Sequence, residues 1–265
     1  MSYAVKAVST ERGLDAASFA MFAMGGAGPL HASQVAREIG MKQIFIPKSP
    51  GHFSAFGMLF SDLRYDYVQT APSTLADVDF GALEAIFENM EKAGHAAIKR
   101  TAINVNEIVV TRAADMRYVG QEHAVTVDLS MNYFAEQDRD GIKAEFDRVH
   151  EIRYGTSAPV EKAEIVSLRS AVTGLMQKPP LEEHLPTGDE IPDAAKTGSR
   201  QIYFNRKSGF VETPSFARDA LLAGNKIIGP AVIEEHASTT VLWDGDVLEV
   251  DGYGNLLITV GKVSA

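Results

Sequence analysis

The residue types best suited to chemistry gather in one stretch, FAMFAMGGAGPLHASQVAREIGMKQIFIP, from Phe19 to Pro47. Three of its glycines, Gly25, Gly26 and Gly28, make a turn between two apolar runs. Glycine lets a ligand approach the main chain with no Cβ in the way. A helix starting just after such a turn adds partial positive charge at its N-terminus. That is the chemistry of nucleotide binding, and two departures narrow it. GAGPLH carries the first two glycines of the dinucleotide pattern G-x-G-x-x-G, but His31 stands at the third position, and no Lys follows at P-loop spacing. Pro29 also removes one N–H from any phosphate cradle. Gly25, Gly26, Ala27 and Gly28 therefore suit a flat group, adenine or ribose, lying over bare backbone. The competing reading is that the glycines let a strand pack tightly on its helix. His31 either caps a buried polar group or makes a polar contact to nucleotide or substrate.

The elements around this turn read as strand, turn, helix, strand. Phe19 to Met24 is short and apolar, the pattern of a buried strand. Pro29 fits the first turn of a helix, Leu30, Ala32, Val35, Ala36 and Ile39 continue it, and Gly40 stops it. Gln43 to Ile46 is a second strand, giving a βαβ unit of about 30 residues. Before it, Tyr3 to Glu11 reads as a helix with Val5 and Val8 inward. After it, Pro47, Pro50 and Gly51 mark a loop, Ser54 to Asp62 a helix and Arg64 to Thr70 an extended segment. APSTLADVDF reads as a domain boundary, giving residues 1–72 and 73–265. In the second part, Phe80 to Lys99 is an amphipathic helix. Ile108 to Met116 and His123 to Leu129 alternate like paired strands, Gly141 to Tyr154 is helical, and Glu164 to Gly174 is a strand. Residues 177–199 form a long proline-rich loop, and the rest is strand-like with glycine turns.

Other polar residues carry weaker patterns. Asp62, Arg64 and Asp66 would share one face of a strand, as an ion pair fixing the junction between the two parts. Arg117, Tyr118 and Gln121 surround Gly120 in a hairpin turn, or else in a substrate-facing or interface loop. Adjacent Glu234 and Glu235 would point to opposite strand faces and cannot act as a paired acid and base. Asp244 and Asp246 read as an Asp-Gly turn. His52 sits on a loop, where a solvated histidine is expected. The seven histidines lack H-x-x-x-H and H-E-x-x-H spacing, so no metal ligands are assigned to this chain. No Ser-His-Asp pattern has spacing support, and no catalytic residue is assigned.

Composition bounds the function. The chain has 265 residues and a formal net charge of -10, which leaves no broad basic surface for nucleic acid. It has no cysteine, which excludes disulfides, thiolate metal sites and cysteine nucleophiles. The start MSYAVKAVSTERG lacks a signal-peptide core, and no apolar run is long enough to span a membrane. A cytoplasmic protein is expected.

The motifs GGAGPLHA, PGHFSAFGML, SDLRYDYVQT, MRYVGQEHAVTVDL, HEIRYG, EIVSLR and GPAVIEEHASTTVLWDGDVLEVDGYGNLLI together resemble the hydantoinase A / 5-oxoprolinase / acetone carboxylase beta-subunit family, carboxyl-terminal part only. The resemblance implies an α/β fold: the end of an actin-like (sugar-kinase-like) ATPase domain, followed by an α+β carboxyl-terminal domain rich in strands. It implies ATP with Mg2+, both shared with a partner chain carrying the amino-terminal ATPase half, and a hydantoinase B-type subunit as a further partner. ATP would phosphorylate an amide or carbonyl oxygen and so activate it. The Asp-x-Gly-Gly-Thr phosphate loop of that family has no counterpart here, so the chain is expected to be inactive alone. Met1 is compatible with a separately encoded subunit and with a fragment of a longer chain. The rival expectation is a non-catalytic scaffold or interaction subunit. Because the βαβ unit has only two strands, the partner is expected to supply the rest of its sheet.

Overall fold

The computed structural model describes residues 1–261. Two compact units divide the chain: Met1–Leu59 together with the chain from Pro179 onward, and Phe60–Lys178. The sequence boundary at 72/73 falls inside the second unit, because the strand begun at Leu63 runs on through Thr74.

In the first unit, α1 (Ser2–Val8) leads through two short 3-10 turns to β1 (Met21–Phe22). Val5 packs on the core as expected, but Val8 is exposed, because α1 ends there. The expected buried strand Phe19 to Met24 is also corrected. Only Met21–Phe22 pairs, Ala23 is buried, and Phe19, Phe22 and Met24 are about half exposed. A strand at the edge of a sheet sends alternate side chains away from the core, and here that face is open. Helix α2 (Gly28–Ile39) then turns Ala32, Ser33 and Ala36 inward and stops at Gly40. Strand β2 (Gln43–Ile46) lies parallel to β1, and α3 (Phe53–Met58) follows.

The second unit contains β3 (Leu63–Thr74), α4 (Phe80–Arg100), β4 (Glu107–Tyr118), β5 (Val125–Leu129), α5 (Met131–Ala135), α6 (Arg139–Tyr154) and β6 (Ala163–Leu175). Its strands form an antiparallel sheet in the order β3-β6-β4-β5. Leu83, Phe87 and Met90 of α4 and Ile142 and Phe146 of α6 meet Ala114, Met116, Val127 and Leu168 of the sheet in one core. Arg112 is buried in this unit. Burial pushes its guanidinium pKa down, but hydrogen bonds to Glu84 and Glu91 outweigh that and hold it above its ordinary value. Asp62 accepts from the Met176 N–H at 2.8 Å and pairs with Lys178, so it clasps the two ends of the unit.

The chain returns to the first unit with β7 (Lys196–Asn205), β8 (Gly209–Ala217), β9 (Lys226–Ile228), β10 (Ala231–Glu235), β11 (Ser238–Leu242), β12 (Val247–Val250) and β13 (Leu256–Thr259). One sheet has the order β11-β10-β8-β7 and the other β1-β2-β13-β12-β9. The second order corrects an expectation. The free side of β2 is filled by β13 of the same chain, antiparallel, with Leu256 opposite Ile46 and Ile258 opposite Ile44. Among the described residues, the edge of the βαβ pair left without a strand is the outer edge of β1, and β9 is the other edge of the sheet. The two sheets and α2 share a core that includes Ile44, Ile46, Ile233, Leu242, Leu248 and Leu256. Among the described residues no helix is long and apolar enough to cross a membrane.

Gly94 of α4 faces β6, and a Cβ there would overlap Val172 Cγ2. Alanine favours a helix interior by about 1 kcal/mol over glycine, yet this overpacking costs about 1–3 kcal/mol. Gly94→Ala is therefore expected to lower stability in urea unfolding, and Val172→Ala in the same chain to recover part of the loss.

Candidate functional site

The glycine turn stands at the carboxyl ends of β1 and β2, where open α/β sheets place ligands. Its shape is fixed by three contacts. The Ala23 N–H donates to Phe45 O at 2.9 Å, the Gly25 N–H to Pro50 O at 2.8 Å, and Ser238 Oγ to Gly26 O at 3.2 Å. The turn is thus held by the loop after β2 and by the β10–β11 hairpin.

The glycines have different causes. Gly25 has φ +87°, which a side chain rarely adopts, and the space where a Cβ would stand is open. Gly26 has an internal reason: a Cβ there would lie 3.1 Å from Ala237 O in the hairpin turn. Gly51 is tighter still, at 2.7 Å from the same oxygen. A Cβ on Gly28 would meet Ala23 at an ordinary 3.8 Å. Gly26 and Ala27 are exposed, and Ala27 precedes α2 with no side-chain cap. Solvent-facing backbone therefore runs into the first turn of α2. His31 is exposed on that turn, so the reading in which it caps a buried polar group is corrected. His52 is exposed as expected, with its ring 5.2 Å from that of His236.

Lys48, Ser49, His184, Arg218, Glu235 and Tyr253 line part of a cavity of about 600 Å³, which begins at the loop that holds the Gly25 N–H. That is within the usual range of small-molecule pockets. Two of its lining residues form a buried ion pair, Arg218 Nη1 to Glu235 Oε1 at 2.7 Å. Arg218 also donates to the carbonyls of Ile46, Pro47 and Gly254 at 3.2, 2.9 and 3.0 Å. Burial pushes the Glu235 carboxyl above its ordinary range, against the opposing charge of Arg218. Lys48 follows β2, and Ser49 sits in the left-handed region at φ 54°.

Sequence reasoning missed this pair. It separated Glu234 from Glu235 correctly, since Glu234 pairs with Arg200, but nothing near Arg218 in the sequence signals a partner. The remaining candidates are structural. Arg64 pairs with Asp66 at 2.8 Å on an exposed strand. Arg117 pairs with Glu164, and Tyr118 Oη donates to Asp147 at 2.7 Å while accepting from the Ala158 N–H, which favours the hairpin reading around Gly120. Asp246 is fully buried, pairs with Arg37 at 2.5 Å and accepts from the Trp243 N–H. Among the described residues, no group of three or more His, Cys, Asp or Glu side chains could hold a metal ion.

Two family models match the chain: "Hydantoinase/oxoprolinase" over residues 1–67 and "Hydantoinase/oxoprolinase C-terminal domain" over residues 73–258. The caprolactamase subunit alpha of Pseudomonas jessenii is 33% identical over 241 residues, covering 90% of this chain and 34% of its own length. The acetone carboxylase beta subunit of Xanthobacter autotrophicus is 27% identical, covering 94% of this chain and 36% of its own length. Of solved structures, nucleotide-free acetone carboxylase superposes with a TM-score of 0.83 at 23% identity, a likeness of fold. The ATP-dependent caprolactamase of Pseudomonas jessenii gives 0.72 at 29% identity. Each match covers 98% of this chain and 38% of the other. The chain thus spans little more than a third of the length of these relatives.

Two outcomes follow from the geometry. Gly26→Val is expected to lower the thermal midpoint in the absence of any nucleotide, because the clash is with Ala237 O; an unchanged midpoint would show that the turn has room. Arg218→Met leaves Glu235 buried and unpaired, which costs about 3–5 kcal/mol. Adding Glu235→Leu is expected to recover part of that in denaturant titration.

Proposed function

Since the chain belongs to the hydantoinase/oxoprolinase family, we propose that it is the carboxyl-terminal part, or a split subunit, of an ATP-dependent hydantoinase/oxoprolinase or ketone carboxylase. In this reading residues 1–72 are the end of an actin-like ATPase domain and residues 73–265 the family's carboxyl-terminal domain. Gly25, Gly26, Ala27 and Gly28 lie under the adenosine side of ATP, with His31 beside it. The observation that carries the reading is the placement of exposed, side-chain-free backbone at the carboxyl ends of β1 and β2, in a chain whose relatives include ATP-dependent enzymes.

ATP, when bound, supplies an activated phosphoryl group for an amide or carbonyl oxygen. This chain's residues would hold and orient the nucleoside. The phosphate-gripping residues and the site for Mg2+ belong to a partner chain carrying the amino-terminal ATPase half, and a hydantoinase B-type subunit completes the assembly. A second reading, a non-catalytic scaffold, is favoured by one observation: Ala237 O accounts for the absence of a side chain at Gly26 without any ligand.

Ala27 separates the two, because it is exposed and a larger side chain there meets solvent in the free protein. The chain alone is expected to release no phosphate from ATP in sustained turnover, and the chain with its partner to do so. Ala27→Trp is expected to weaken ATP binding to that complex about tenfold or more, roughly 1.4 kcal/mol, with the unfolding midpoint unchanged. Equal ATP affinity of the variant and the wild type would favour the scaffold.

A further inference from the structure

The sheet β1-β2-β13-β12-β9 has two unlike faces. One buries Ile44, Ile46, Leu248, Leu256 and Ile258 in the core. On the other, the strand register sets Phe22, Phe45 and Leu257 in one row, which ends on Glu249 and Lys226, and Val247 opposite Ile228 in the next, which begins with Gln43 and Thr259. Because Leu257 and Val247 are diagonal neighbours on the β12–β13 ladder, the two rows join into a band with one apolar side chain from each of the five strands. Phe22 stacks on Phe45 at 5.1 Å and meets Phe53 at 5.3 Å. Phe22 is 49% exposed, Leu257 42%, Val247 38% and Ile228 72%. The polar residues of this face stand at two opposite corners, Glu249 with Lys226 and Gln43 with Thr259, and the diagonal between them is apolar. A contiguous apolar band of this kind marks a contact surface.

We propose that this face seats the polypeptide that makes up the remaining length of the longer relatives, with an apolar helix of that polypeptide laid across the band. Three observations choose this occupant. The chain accounts for 38% of the length of each of the two similar solved chains, so most of a full-length counterpart lies outside it. The β1–β2 pair is parallel, and parallel strands are ordinarily covered on both faces; here Phe53 meets Phe22 on the outward face, yet Phe22 and Leu257 stay about half exposed. A second copy is disfavoured by charge, since each copy carries a formal -10. The inference rests on the split-ATPase reading and adds to it the place of attachment.

The test uses the full chain and, as probe, the polypeptide encoded beside it that carries the phosphate-loop segment. Affinity is measured for wild type, for the double variant Leu257→Lys/Ile228→Lys and for Val68→Lys, an exposed substitution in the other unit. Thermal unfolding of each variant is followed in parallel, and the substituted positions, being exposed, are expected to leave it unchanged. The expected result is a loss of about a hundredfold in affinity for the double variant, as for two charges forced into an apolar contact, and none for Val68→Lys. Wild-type affinity in the double variant would overturn the attachment site while leaving the split reading intact. No affinity in the wild type, or no such neighbouring polypeptide, would overturn both. A wild-type dimer that the double variant dissociates would overturn the proposed occupant in favour of a second copy.

Discussion

The first unit depends on one desolvated guanidinium. Arg218 reaches Glu235 at the end of β10, the carbonyls of Ile46 and Pro47 at the end of β2, and the carbonyl of Gly254 just before β13. Strands of both sheets therefore converge on a single side chain. An isolated buried charge would be prohibitive, and a buried pair is seldom strongly stabilising against an apolar replacement. The value of the arrangement is positional. A planar fork with several donors accepts only a narrow set of carbonyl positions, so it fixes where β2 ends and hence where the loop beside the glycine turn begins. The Gly25 N–H then takes Pro50 O from that loop. The geometry of the turn is downstream of the ion pair.

The turn is also held from its other side, by the β10–β11 hairpin. Ala237, itself at φ 63°, aims its carbonyl where Gly26 and Gly51 have no side chains. Two glycines over twenty residues apart thus answer to one oxygen. Absence of a Cβ serves the protein's own packing at these positions, while Gly25 and Ala27 present backbone to solvent. A glycine-rich motif read as a single ligand device is here divided between packing and exposure.

Local periodicity was enough for α2, α4, α6, β6 and the β4–β5 pair, where a run of ten or so residues carries its own face. The motifs were enough for the family. Sheet order was not legible, because Gln43–Ile46 finds its partner in Leu256–Thr259, and no local pattern encodes a pairing at that separation. The exposed side of β1 was misread for the same reason: Phe22 looks like a core residue until its neighbours are known. In the sequence Glu235 reads as one half of an adjacent pair on opposite faces, which is true of the strand but says nothing of Arg218. The adenosine role proposed for the turn rests on resemblance and on the chemistry of bare backbone. Ala237, which constrains it most closely, has no sequence signature.

The interruption of the first unit by Phe60–Lys178 bears on how the protein is made. During translation β1, α2 and β2 emerge before the inserted segment, whereas β13, the strand that closes β2, follows it. The middle segment is contiguous and can collapse on its own as soon as it leaves the ribosome. The early βαβ unit must meanwhile wait with an unpaired strand and unsatisfied apolar side chains. Such high contact order slows assembly and lengthens exposure to misassociation. Independent folding of the middle segment shortens the effective distance between the two ends, as its Asp62–Lys178 clasp brings the entering and leaving chain together. A folded insert thereby leaves a shorter loop to close, and less loop-closure entropy to lose, in the unit that it interrupts.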